Sequence, residues 1–150
     1  MLKDKTDDEK AFYILETAVS RAQDSMQKTK HFDPFVMLLN DAGEIEVFEN
    51  EQLESTQSYL LLEDMLDNRL QEKSDIDVIA LVIDTQIPEN FAANVSNGIR
   101  IHLEEKSQRH KKLGARYLYV PYELCKVAEG EIFVKLHTPL PIGFPAEYLT

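Results

Sequence analysis

Apolar residues recur at positions 11, 12, 15, 18, 19, 22 and 26 behind the stretch TDDE at 6–9. That spacing marks one face of an α-helix. Thr6 and Glu9 have the spacing of a capping box, and Asp7 and Asp8 occupy the first turn, where the helix dipole favours acids. The pattern predicts an amphipathic helix of about five turns, whose stripe of Phe12, Leu15, Ala18, Val19, Ala22 and Met26 lies on a sheet. The rhythm then changes. FVMLL at 35–39 is a continuous apolar run, Asn40, Asp41 and Gly43 are turn formers, and Ile45 and Val47 alternate with Glu44 and Glu46. Two strands joined by a tight turn are expected, with Pro34 ahead of the first, where its missing N–H does least harm.

Helical periodicity returns between Ser58 and Lys73, with Tyr59, Leu62, Met65, Leu66 and Leu70 on one side and Glu63, Asp64 and Asp67 on the other. Ser55, Thr56 and Ser58 compete as its cap. The run VIALVIDTQI at 78–87 is rich in β-branched residues and has strand length, which predicts a central strand buried on both faces. After a loop at 88–98, Ile99, Ile101 and Leu103 alternate with Arg100, His102 and Glu104. Two more strands are expected at 115–122 and 131–137, joined by ELCKVAEGE. Residues 138–150 carry three prolines in TPLPIGFPAEYLT and are expected to run extended over the surface, pinned by Ile142, Phe144 and Tyr148.

The order is α-β-β-α-β-β-β-β. It predicts a single α+β domain over 1–150: a mainly antiparallel sheet of about six strands with the two helices on one face. In element order alone, without a sequence motif, it resembles small profilin-like and roadblock-like domains. That resemblance implies a binding or scaffolding module.

The composition narrows the function classes. No apolar run approaches the eighteen or more residues of a membrane-spanning helix, and the charged N-terminus lacks the apolar core of a secretory signal, so a cytoplasmic location is the expectation. The single Cys125 permits no disulfide within the chain and agrees with a reducing compartment. The formal net charge is −11. It is concentrated early: residues 41–77 hold 12 acids against 2 bases. Such a field repels phosphate backbones and argues against nucleic-acid binding.

Against that background stands KSQRHKK at 106–112, five basic or potentially basic side chains in seven residues. Lys106, Arg109, His110, Lys111 and Lys112 fall between two alternating strands and predict a solvated hairpin tip. In the functional alternative they form a basic finger for an acidic partner, including the 41–77 region of a second copy. Tyr117 and Tyr119 share one face of the following strand. They offer a second contact surface unless Ile142 and Phe144 fold over them, which is the expected arrangement.

Signals for chemistry are sparse. His31, His102, His110 and His137 lack metal-ligand spacing, so no metal is assigned; His102 and His137 would approach each other only if their strands were neighbours. Cys125 beside Lys126 reads as a small buried hydrophobe. No Gly-rich phosphate loop, G-x-S-x-G or calcium-loop pattern occurs, and the carboxylates at 44, 46, 49, 63, 64 and 67 read as two solvated faces. No catalytic residue and no cofactor are assigned. A non-catalytic protein-interaction module, a homodimer through a sheet edge or the tyrosine face, is the first expectation. The alternatives are a small-molecule-binding or enzymatic domain with a pocket between helices and sheet, and an acidic inhibitor or immunity-type protein directed at a basic target.

Overall fold

The computed structural model describes residues 2–49, 55–89, 95–126 and 130–149. Its main elements are α1 (Asp7–Thr29), β1 (Phe35–Asn40), β2 (Ile45–Glu49), α2 (Ser55–Glu72), β3 (Ile76–Gln86), β4 (Asn97–Glu105), β5 (Ala115–Lys126), β6 (Ile132–Leu136) and β7 (Leu140–Phe144). The α+β order is the expected one, with a seventh strand supplied by the proline-rich segment. All pairings are antiparallel and the sheet order is β2-β1-β3-β4-β5-β6, with β7 beside the first half of β5.

The helices do not share a face, which corrects the expected arrangement. Phe35, Met37 and Leu39 pack with Ile14, Ala18, Ala22 and Met26 of α1, whereas Val36 and Leu38 pack with Leu62 and Leu66 of α2 on the other side. The reason lies in β1 and β3. Every residue of β1 is buried, as are Val78 through Val82 of β3, so apolar side chains project from both faces and each face needs its own cover.

Helix α1 begins at the capping box read from the sequence: the Glu9 N–H donates to Thr6 Oγ1 over 3.2 Å and the Thr6 N–H donates to Glu9 Oε1 over 3.3 Å. Its buried stripe is Ala11, Ile14, Ala18, Ala22 and Met26. The expected stripe was turned too far towards Phe12, which is 61% exposed. Alanines at the contact let the helix axis lie close to the sheet. The two sides of that closely seated helix then diverge from the sheet, and Phe12 stands on one of them.

In the acidic stretch, several carboxylates are tied down rather than freely solvated. Arg69 of α2 donates from Nε and Nη2 to the Glu46 carboxylate of β2 over 2.8 and 2.9 Å, and its Nη1 lies 2.9 Å from Asp75 at the start of β3. These bonds hold the Glu46 and Asp75 carboxyls below their usual range. Arg21 reaches Glu49 over 2.6 Å and Lys10 reaches Asp77 over 3.2 Å. The expectation of a wholly solvated 44/46/49 face therefore fails at Glu46 and Glu49, because α2 and α1 each bring an arginine to them.

Strand β5 runs on to Lys126, past the expected end at 122, because Pro121 falls where a missing N–H does little damage. Its outer edge pairs with β7 over 115–119 and with β6 over 122–126, and Pro121 stands at the changeover, its carbonyl accepting from the His137 N–H over 2.8 Å. Helix α2 begins at Ser55, earlier than the expected Ser58, so the capping candidates Ser55, Thr56 and Ser58 all fall inside it; the centre of the 88–98 loop and most of the connection after Lys126 lie outside the described residues. No helix among the described residues is long and apolar enough to cross a membrane.

Candidate functional site

Alternation along β4 sends Ile99, Ile101 and Leu103 into the α1 side of the core. Arg100, His102 and Glu104 therefore point to the α2 side. In sequence these three read as an outward polar face, yet His102 and Glu104 are fully buried. The cover comes from residues 145–149, which leave β7 and fold back over β4. Glu104 holds them: its carboxylate accepts from the backbone N–H groups of Glu147, Tyr148 and Leu149 over 2.9 to 3.0 Å. His102 Nε2 lies 2.6 Å from the same carboxylate, which places the ring proton on Nε2. Burial raises the Glu104 carboxyl, but the His102 bond and the three backbone donors outweigh it and leave the group below its usual range.

Aromatic rings complete this cluster. His102 meets Tyr117, Phe144 and Tyr148 at ring-centre distances of 5.1 to 5.3 Å, and Tyr117 stacks on Phe144 at 4.0 Å. The Arg100 guanidinium sits 4.6 Å above the Tyr117 ring and donates to the Tyr59 hydroxyl over 3.2 Å. Tyr148 donates its hydroxyl proton to Glu63 over 2.7 Å, and burial together with that bond pushes its ionisation well upward. The cluster thus fastens α2, β4, β5 and segment 145–149 to one another. Of the expected tail anchors Phe144 and Tyr148 serve here, while Ile142 is exposed on the edge strand β7. Tyr117 and Tyr119 do share the predicted face and are half-buried in it.

Beyond the last β4–β5 pair, Glu104 with Ala115, the chain enters the basic stretch. Lys106–Gln108 form one 3-10 turn, and the Lys111 N–H donates to the Gln108 carbonyl over 3.0 Å. Gly114 closes the connection so tightly that a Cβ there would lie 2.7 Å from the Gln108 carbonyl oxygen. The result is a compact finger on which Arg109, His110, Lys111 and Lys112 are exposed and Lys106 is half-buried. None of these five has an ion-pair partner among the described residues. The acids next to them in sequence are already engaged, Glu104 as above and Glu105 with Arg116 over 2.7 Å.

The remaining sequence candidates are separated. Strand β5 lies between β4 and β6, so His102 and His137 do not pair; His137 lies 2.7 Å from Glu123 instead. Cys125 is half-buried with a free thiol, opposite Phe133 of β6. Among the described residues no three His, Cys, Asp or Glu side chains gather as a metal site.

The sequence offered a pocket between helices and sheet only as an alternative and named no lining residues for it. Among the described residues α1 is the one α-helix on its face of the sheet, and an open apolar groove of about 780 Å³ remains between its Phe12, Leu15 and Val19 and the sheet residues Leu118, Val120 and Leu136. Glu16 and His137 also line it, and no lysine or arginine among the described residues does. Comparison of the chain with protein-family models, with curated proteins and with solved structures found no match.

Proposed function

We propose that this protein is a non-catalytic interaction module of the cytoplasm that meets an acidic protein surface with its β4–β5 finger. The observation that carries the reading is the absence of an ion-pair partner, among the described residues, for any of Lys106, Arg109, His110, Lys111 and Lys112 in a chain of 27 acids and 16 Lys or Arg residues. Local acids are plentiful, yet the fold spends them on Arg69, Arg21, Lys10 and segment 145–149. The finger is left as a cationic surface on a turn closed by its own backbone bonds and by the packing at Gly114, an arrangement that lowers the ordering cost of a contact. An exposed ion pair contributes roughly 0.2–1 kcal/mol, and several must form together for a useful affinity. The net charge of −11 opposes extended polyanions and favours a protein partner with a local acidic patch.

A non-catalytic role is supported by the cluster around Glu104. Its one deeply buried carboxylate is occupied by four internal donors and so serves to hold the chain, with no lone pair directed at a substrate space.

The test is fluorescence anisotropy of a labelled Glu/Leu peptide and of its Lys/Leu counterpart. Wild-type protein is expected to bind the acidic peptide only, more weakly as salt rises, and the Lys111→Glu/Lys112→Glu variant to lose at least tenfold in affinity. Equal binding by that variant, or no binding by the wild type, overturns the reading.

A further inference from the structure

We infer that the finger of one copy docks into the apolar groove between α1 and strands β5 and β6 of a second copy. This rests on the finger being a contact surface and names what it contacts. The groove defines the occupant by its chemistry. Its apolar walls are Phe12, Leu15, Val19, Leu118, Val120 and Leu136, Glu16 adds a carboxylate, His137 at one end is bonded to Glu123, and Asp8 stands one turn before Phe12 on the exposed side of the helix. An apolar side chain accompanied by cations fits such a site.

The chain carries that combination at one place on its finger. Leu113 is 57% exposed and follows Lys111 and Lys112 directly, with Arg109 a few residues before. Of the other exposed large apolar residues, Leu60 and Leu61 precede Glu63 and Asp64, Phe12 and Tyr13 follow the acidic first turn of α1, and Val47, Leu124, Phe133 and Ile142 lie within strands of the sheet and not on a projecting turn. The backbone bonds inside the finger and the close packing at Gly114 hold Leu113 in place before contact. The mutual repulsion of two chains of charge −11 is the opposing force. At physiological salt the screening length is about 8 Å, so most of that repulsion is damped, while Lys111 and Lys112 would lie against Glu16 and Asp8 at contact range. Finger and groove are different surfaces, so copies join head to tail unless two such contacts close on a two-fold axis.

Sedimentation velocity across a concentration series at physiological salt tests this with two variants at exposed positions, Phe12→Glu in the groove and Leu113→Glu in the finger. Wild type is expected to self-associate, and each variant alone to remain at 17.3 kDa with at least a tenfold weaker association. Mixing the variants should restore a two-chain species, because the Phe12→Glu copy keeps a sound finger and the Leu113→Glu copy a sound groove. Circular dichroism checks folding, and Glu16→Lys replaces Phe12→Glu if that variant is not native. A wild type that stays monomeric throughout overturns the inference. So does association that either variant leaves unchanged, or a mixture that stays monomeric. If the wild type is monomeric but still binds the acidic Glu/Leu peptide, the self-docking inference fails and the finger reading stands. If neither occurs, both fail.

Discussion

Residues 100–105 and 106–112 are consecutive in one hairpin, both densely charged, and treated in opposite ways by the fold. In the first stretch the side chains are engaged within the fold: Arg100 lies against two tyrosine rings, His102 and Glu104 bond to each other, and Glu105 meets Arg116. In the second, the cations have no ion-pair partner among the described residues, although acids outnumber bases in the chain. The lesson is that charge density alone says nothing about role. Covered charges fasten the chain, and uncovered ones remain free to act outside it.

The comparison breaks most sharply at Glu104. Glu104→Ala would strand three backbone N–H groups and the His102 ring proton in a buried site, a loss of about 3–5 kcal/mol by analogy with breaking a buried ion pair. Urea denaturation measures it, and amide exchange at 147–149 should speed up in the folded protein. Arg69→Met is expected to cost less, about 1–3 kcal/mol, because the Glu46 and Asp75 carboxylates it leaves behind are nearer to water. Tyr148→Phe removes only the bond to Glu63 and should cost about 1 kcal/mol.

Acid titration sharpens the same contrast. The Glu104, Glu46 and Asp75 carboxyls are held below their usual values, so the stability they contribute is present above the unfolded-chain pKa of about 4 and is lost as pH falls through the folded values. Melting temperature followed from neutral pH downward should therefore fall below about pH 4, and Glu104→Gln should show a shallower acid slope. The smallest expected effect lies on the finger, where Lys111→Glu/Lys112→Glu should change stability by no more than about 0.5 kcal/mol.

Much of the fold was legible because periodicity reports local geometry. The capping box at Thr6 and Glu9, the alternation in β4 and the strands expected at 35–39 and 78–87, which form at 35–40 and 76–86, follow directly from residue pattern. The side taken by each helix was less legible, although the unbroken apolar runs of β1 and β3 already called for cover on both faces. The burial of His102 and Glu104 could not be read from their alternation, since it depends on residues more than forty positions away folding back over them. Proline in LPIGF suggested an extended surface segment; β7 accepts Pro141 because it is an edge strand with a partner on one side. The basic finger was visible as composition, but its lack of ion-pair partners emerged only once the neighbouring acids were seen to be occupied.

The most direct test of this account measures two quantities on one sample of Lys111→Glu/Lys112→Glu: the urea midpoint and the affinity for the acidic Glu/Leu peptide. An unchanged midpoint with binding lost at least tenfold is the predicted result. A lowered midpoint with binding unchanged would show that the finger serves the fold and not a partner.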